Sequence, residues 1–280
     1  MADYAHARGV DRLVRLALDE DLPGPDLTTE ATGVGGCSAA AAFVARQACT
    51  LSGIGVAERV FAILDPAVRF ERLREDGATV AAGEAIARVS GRAGSILAGE
   101  RTALNFLQRL TGVATVTRAM VDLLAGLRVT LLDTRKTTPG WRQLEKAAVR
   151  DGGGTNHRFS LSDAVLIKDN HVRLAGGTAP AVAAARARLA PGTRIEVEAD
   201  TLAEVRAALA AGADAILLDN ADPATAREAA LLVGGRAVLE LSGGITAANL
   251  REMAATGADC VSCGALTHSA PAVDISLEFL

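Results

Sequence analysis

Residues 195–220 read IEVEADTLAEVRAALAAGADAILLDN. Two short apolar runs, IEVEA and AILLDN, flank a segment in which Leu, Val and Ala recur at helical spacing, and Gly212 stands just before the second run. Strand, helix and strand make one right-handed crossover unit, and strands this apolar belong to a parallel sheet covered on both faces. Each run carries an acid near its C-terminal end, Glu198 in the first and Asp219 in the second.

The pattern repeats on either side. VTLLDT (129–134) and AVLIKD (164–169) precede the stretch, and AVLEL (237–241) and CVSCG (260–264) follow it. Between them lie PAVAAARARLA, PATAREAALLVG and TAANLREMAATG, each with helical spacing of its apolar residues. The polar residues fall at strand ends: Asp133, Lys168, Glu198, Asp219 and Ser242. In a β/α barrel that is the C-terminal face, where sites are built. The fold class is α/β.

The preceding residues are organised differently. A helical VDRLVRLALDEDL is followed by AAAAFVARQACTLSG, a helix around VAERVFAIL, and VRFERLREDGATVAAGEAIARVSG, in which Asp76-Gly77 is a turn signal between two strand-like runs. This predicts a separate domain of helices and strands. SILAGERTALNFLQRLTGVATVTRAMVDLLAGL is a long helical connector, expected to break near Gly112.

Half of the 280 residues are hydrophobic and only 3% are aromatic, so Ala, Val, Leu and Ile must build the core. A net charge of -4 lacks the basic excess of a nucleic-acid binder. No apolar run approaches the roughly 20 residues of a membrane span, and the N-terminal MADYAHARGVDRLVRLALDEDL has no uninterrupted apolar leader core, so the expected location is the cytoplasm. Cys37, Cys49, Cys260 and Cys263 fit a reducing compartment, and the lone C-x-x-C reads as ordinary thiols.

Basic residues carry the chemistry. The chain has only three lysines, Lys136, Lys146 and Lys168, all in one window, DTRKTTPGWRQLEKAAVRDGGGTNHRFSLSDAVLIKDNH (133–171). A compact ammonium retained in an arginine-rich chain points to a site that the planar guanidinium does not fit. With Arg135, His157 and Arg158, Lys136 and Lys168 make a group too cationic for one phosphate, and Gly152, Gly153 and Gly154 let the backbone approach a ligand closely. The turns LSGGI (241–245) and SCGALTHS (262–269) follow the last two strands, where barrels bind phosphate. Glu198 and Asp219 could hold hydroxyls or a hydrated Mg²⁺ beside phosphates, or act as an acid–base pair in glycoside cleavage. Cationic surroundings, which keep carboxylates ionised, weigh against the second role.

ERTALNFLQRLTGVAT (100–115), DTRKTTPG, EKAAVRDGGGTNHR, LIKDNH, IEVEAD, LLDN, SGGI and GALTHS together resemble the motifs of quinolinate phosphoribosyltransferase, with EDLPGPDLTTEA (20–31) and DISLEF (274–279) fitting as well. The resemblance covers nearly the whole chain. It implies an N-terminal α/β sandwich domain (1–115, joined by 271–280), an open-faced seven-stranded β/α barrel (116–270), Mg²⁺ and no organic cofactor. The working unit would be a homodimer with shared active sites, open to further assembly. The implied reaction takes quinolinate and PRPP to nicotinate mononucleotide, pyrophosphate and CO₂.

Carried over by position, the resemblance gives the substrate carboxylates to Arg135, His157, Arg158 and Lys168, with Arg101 reaching in from the neighbouring subunit. Lys136 falls to PRPP and its pyrophosphate, with Lys168, Glu198 and Asp219 completing the catalytic set. Glu198 and Asp219 hold ribose hydroxyls and metal-bound water, and Ser242, Gly243, Gly244 and Gly264 take the 5-phosphate. Ser160 stands where many relatives have Gly, which bears on loop geometry. Two other readings share parts of the pattern. A molybdenum-transport-associated paralogue has the same fold but lacks the lysine of LIKDNH, and a non-catalytic phosphate-binding barrel needs the glycine turns without the cationic group.

Overall fold

The computed structural model describes residues 8–280; the first seven residues of the N-terminal segment discussed above lie outside it. The elements run α1 (Arg8–Asp21), α2 (Leu27–Thr32), β1 (Ser38–Ala45), β2 (Cys49–Thr50), α3 (Ile54–Leu64), β3 (Arg69–Arg72), β4 (Thr79–Val80) and β5 (Ala85–Arg92). There follow α4 (Ala93–Leu123), β6 (Thr130–Leu132), α5 (Arg142–Asp151), β7 (Val165–Ile167), α6 (Asp169–Ala175), α7 (Thr178–Arg188), β8 (Ile195–Ala199) and α8 (Leu202–Ala210). The last are β9 (Ala215–Asp219), α9 (Pro223–Val233), β10 (Val238–Ser242), α10 (Leu250–Ala254), β11 (Cys260–Ser262), α11 (Ala265–His268) and β12 (Ile275–Phe279).

The chain divides into two compact units. The first takes the residues up to Arg118 together with 137–153 and 269–280, and the second takes Ala119–Lys136 and Gly154–His268. Relative to a division at 115, the α5 segment goes to the first unit, for reasons visible in its side chains. Arg109 of α4 pairs with the fully buried Glu145 at 3.0 Å, and Ser52 donates to Asp151 at 2.7 Å. Trp141 stacks on Phe106 with ring centroids 4.6 Å apart.

In the first unit a mixed-sequence sheet, β12-β1-β5-β3, is antiparallel throughout and pairs the end of the chain with β1. Phe43, Phe61 and Phe70 cluster against it, and Val10, Val14 and Leu18 of α1 face the core at four-residue spacing. The connector α4 is one continuous helix of 31 residues, so the expected break at Gly112 does not occur. Gly112 serves a different purpose: a Cβ there would stand 2.0 Å from the carbonyl oxygen of Pro271. Absence of a side chain lets the returning C-terminal segment pass against the helix.

The second unit is the parallel barrel. Its order is β6-β11-β10-β9-β8-β7, with every pair parallel, and Leu132 bridges Thr155 on the outer side of β6. The expected seventh strand is therefore reduced to a single position beside the glycine run, and the sheet stays open between Thr155 and β7. Local chemistry sets the helix limits. Thr201 and Glu204 form a reciprocal capping box at the start of α8, and Asp222 caps α9 ahead of Pro223, with left-handed Gly234 ending it. Leu218, Leu241 and Val261 are fully buried, so a cylinder of aliphatic side chains holds the strand ends in place. Among the described residues no helix is long and apolar enough to cross a membrane.

Candidate active site

The strands of the barrel deliver their polar ends to one cavity of about 330 Å³. Its walls are Thr134, Arg135, Lys136, His157, Arg158, Leu166, Lys168, Glu198, Leu217, Asp219, Glu240, Ser242 and Ser262. Five cationic or protonatable groups from the 133–171 window thus share a cavity with Glu198 and Asp219. Lys146 is not among them: it is buried in α5, in the first unit.

Several wall residues are held by identifiable bonds. Beyond β6, the Lys136 N–H donates to Thr134 Oγ1 at 3.0 Å and its carbonyl accepts from the Thr267 hydroxyl at 2.8 Å, tying that loop to the one after β11. Gly264 lies against the lysine stem, where a Cβ would stand 2.9 Å from Lys136 Cδ. Asp133, read above as a strand-end site residue, is wholly buried. Its carboxylate accepts from Asn156 Nδ2 at 2.6 Å and from the His157 N–H at 2.8 Å, so it fixes the segment carrying His157 and Arg158. Arg158 donates from its backbone to His157 Nδ1 at 2.7 Å and from its guanidinium to the Ala164 carbonyl at 3.2 Å. Burial and the neighbouring Arg135 charge lower its pKa, against the pull of Glu196 and Glu198. Ser160 accepts the Ser162 N–H at 3.2 Å within the same loop.

On the acidic side Lys168 Nζ donates to Glu198 Oε2 at 2.7 Å. The ammonium is half exposed, so the pair adds little to stability and leaves both groups able to exchange this contact for a ligand. Asp219 accepts from Asn220 Nδ2 at 2.7 Å, and Asn220 sits in the left-handed region at φ 53°. Gly243, at φ 83°, packs so tightly there that a Cβ would overlap the Asn220 side chain and backbone nitrogen. Gly243, Gly244 and Gly264 do not line the cavity themselves; Ser242 and Ser262 do. Arg101 is exposed on α4, in the first unit, and is likewise absent from the cavity wall.

Two groups of donors invite a cation. Glu198 and Asp219 offer hard oxygen ligands from the ends of neighbouring strands, which fits a Mg²⁺ that keeps most of its water. His157 with Glu196 and Glu240 is the one cluster of three ligand-type side chains among the described residues. Its histidine is better read as an ion-pair partner. Burial alone would lower its pKa, yet hydrogen bonds and charge from Glu196 and Glu240 lift it to about 9. Burial raises the pKa of the Cys49 and Cys263 thiols and lifts that of Cys260 to about 11, and all four cysteines are free of disulfides.

Strand-end reasoning passed over Thr134, Ser262 and, above all, Glu196 and Glu240. The signal was present. Glu196 and Glu198 are two apart on β8, as are Glu240 and Ser242 on β10, and side chains of period two point to the same face of a strand.

Residues 113–278 match the family described as Quinolinate phosphoribosyl transferase, C-terminal domain, and residues 26–111 match its N-terminal domain. The chain is 42% identical over 259 residues to the probable nicotinate-nucleotide pyrophosphorylase [carboxylating] of Bacillus subtilis, covering 92% of this chain and 89% of that one. It is 41% identical over 274 residues to the nicotinate-nucleotide pyrophosphorylase [carboxylating] of Mycobacterium leprae, covering 95% of each. The solved nicotinate-nucleotide pyrophosphorylase of Francisella tularensis superposes with a TM-score of 0.94 at 39% identity over the full length of both chains. Matches that span both units at this identity place the chain in the quinolinate phosphoribosyl transferase family.

Proposed function

We propose that this protein transfers the phosphoribosyl group of PRPP to quinolinate with loss of CO₂, giving nicotinate mononucleotide and pyrophosphate, a step of NAD biosynthesis. The carrying observation is the division of charge within one cavity: Arg135, Lys136, His157, Arg158 and Lys168 on its walls together with Glu198 and Asp219. Arg135 and Arg158 suit the two carboxylates of quinolinate, since a guanidinium meets a carboxylate with two parallel bonds. Clamped in this way, the pyridine nitrogen stands ready at C1 of the ribose, and the entropy of bringing two substrates together has already been spent in binding.

The C1–O bond to pyrophosphate breaks with positive charge developing on the sugar. Lys136 offsets the negative charge leaving with pyrophosphate, while Glu198 and Asp219 hold the ribose hydroxyls and Ser242 receives the 5-phosphate. When bound at Glu198 and Asp219 through water, Mg²⁺ supplies further neutralisation of the diphosphate charge. The nitrogen lone pair forms the new bond to C1, and the ring becomes a pyridinium. The C2–carboxylate bond then breaks, its electron pair stays on C2 beside N⁺, and a proton taken up there completes the product.

We further propose a two-fold dimer in which Arg101 of one subunit enters the other's cavity, and a cytoplasmic location, which the four free cysteines support. Mixing the protein with quinolinate, PRPP and Mg²⁺ while following CO₂ and nicotinate mononucleotide tests the reaction. Absence of both products with a folded protein would overturn it.

A further inference from the structure

Two buried carboxylates stand beneath a cavity that must take a dianion. Glu240, on the inward face of β10, is only 3% exposed, and Glu196, on β8, is 8% exposed. Uncompensated, either would repel the substrate and carry a desolvation penalty. What they meet is His157: Nε2 lies 3.3 Å from Glu196 Oε2 and 3.5 Å from Glu240 Oε2. The opposite ring nitrogen, Nδ1, accepts the Arg158 N–H at 2.7 Å.

Glu240 has no evident task in holding the barrel together. Its Oε1 is buried without a protein hydrogen-bond partner, an arrangement that a Leu or Met of similar volume would improve for the fold alone. The neighbourhood is otherwise mixed in charge. Asp133 just after β6, Cys260 from β11 and Arg194 just before β8 face the same region, with Arg135 and Arg158 on the cavity side. His157, Arg158 and Glu240 also border a second cavity of about 320 Å³, lined by Arg194, Glu196 and Cys260, so the imidazole stands between two spaces.

We propose that Glu240, together with Glu196, is a positioning residue for His157: the carboxylates hold the imidazole by its Nε2 edge and so fix both the ring and the backbone of Arg158 in the wall that receives the quinolinate carboxylates. This rests on the substrate assignment above. The pair keeps a proton on His157 through neutral pH, so the cavity presents a cation there rather than a ring free to turn.

Glu240→Gln, Glu240→Asp and Glu196→Gln, made in the full chain, separate this role from a structural one. The histidine-ring NMR signals are followed against pH, with His157 assigned by its loss in His157→Asn, alongside steady-state kinetics. Expected is a fall of at least one pH unit in the His157 midpoint in Glu240→Gln, and a rise of about tenfold in KM for quinolinate with KM for PRPP within twofold. Glu240→Asp, which keeps the charge but shortens the reach, should retain more of the midpoint than of the KM. An unmoved His157 midpoint and unmoved KM in folded variants, with only a lowered Tm, overturns the proposal. If the wild type turned over no quinolinate, the function would fall while the NMR titration still decided the positioning role.

Discussion

Lys136 lies along the bare Cα of Gly264, with its Cδ 2.9 Å, and the His268 ring 3.2 Å, from where a Cβ would stand. Gly264→Ala therefore pushes on the flexible stem of a lysine assigned to pyrophosphate. Turnover should fall about tenfold, which is about 1.4 kcal/mol of transition-state stabilisation, while Tm moves little. Wild-type kcat in a folded Gly264→Ala would mean that the glycine is incidental.

Gly112 sets two effects against each other. Alanine is the better helix former by about 1 kcal/mol, yet its Cβ would meet the Pro271 carbonyl at 2.0 Å, and backbone cannot rotate aside. Gly112→Ala should lose about 2–4 kcal/mol in denaturant unfolding. Any gain in stability would show that the close approach does not constrain the helix.

Asp151 has its pKa raised to about 6 by burial, reinforced by the Asp76 charge and opposed by the hydrogen bond from Ser52. An acid raised on folding binds more protons in the native state, so its contribution is full below about pH 4 and is lost as pH climbs to about 6. Asp151→Asn should accordingly be more stable than wild type at pH 7, by about 1–2 kcal/mol once partial exposure is discounted, and the gain should shrink steadily on acidification. Parallel stability–pH curves for the two proteins between pH 4 and 7 would sink this account.

Arg158→Ala removes a fork from a substrate dianion in a partly dry wall. The expected loss is about 2–5 kcal/mol in kcat/KM for quinolinate, with PRPP binding near normal. Nicotinate, lacking the 2-carboxylate, should be a poor substrate for either protein; equal use of nicotinate and quinolinate by the wild type would refute the two-carboxylate clamp.

The shared-site dimer makes a stoichiometric prediction. Arg101→Ala and Lys168→Ala should each be nearly inactive, and mixing them with verified subunit exchange should restore activity. A mixed dimer gathers both lesions in one site and none in the other, so recovery per such dimer is limited to about half of wild type. No recovery after exchange would mean that each chain builds its own site.

Much of the barrel was legible because continuous apolar runs and capped helices are local signals, and the strand-end acids and lysines came with them. Gly112 was misread for the opposite reason: the atom that demands a glycine belongs to Pro271, far along the chain. The period-two spacing puts Glu196 and Glu240 on the site face with Glu198 and Ser242, but their pairing with His157, which comes from a loop between other strands, has no local signal in the sequence. Arg101 is a different case: it lies outside the cavity wall of its own chain, and only the proposed dimer would give it a site.

The pairing of β12 with β1, which sets Phe279 against Ala41, imposes an order on biosynthesis. The ribosome delivers the whole barrel before it delivers the strand that flanks β1, so the earlier sheet must wait with one edge open while the later unit is free to fold. Contacts this distant in sequence are slow to form, and an unpaired edge is an invitation to other chains. The interval between the emergence of β5 and that of β12 is therefore the stretch of synthesis in which this protein is most exposed to aggregation and has most to gain from a chaperone.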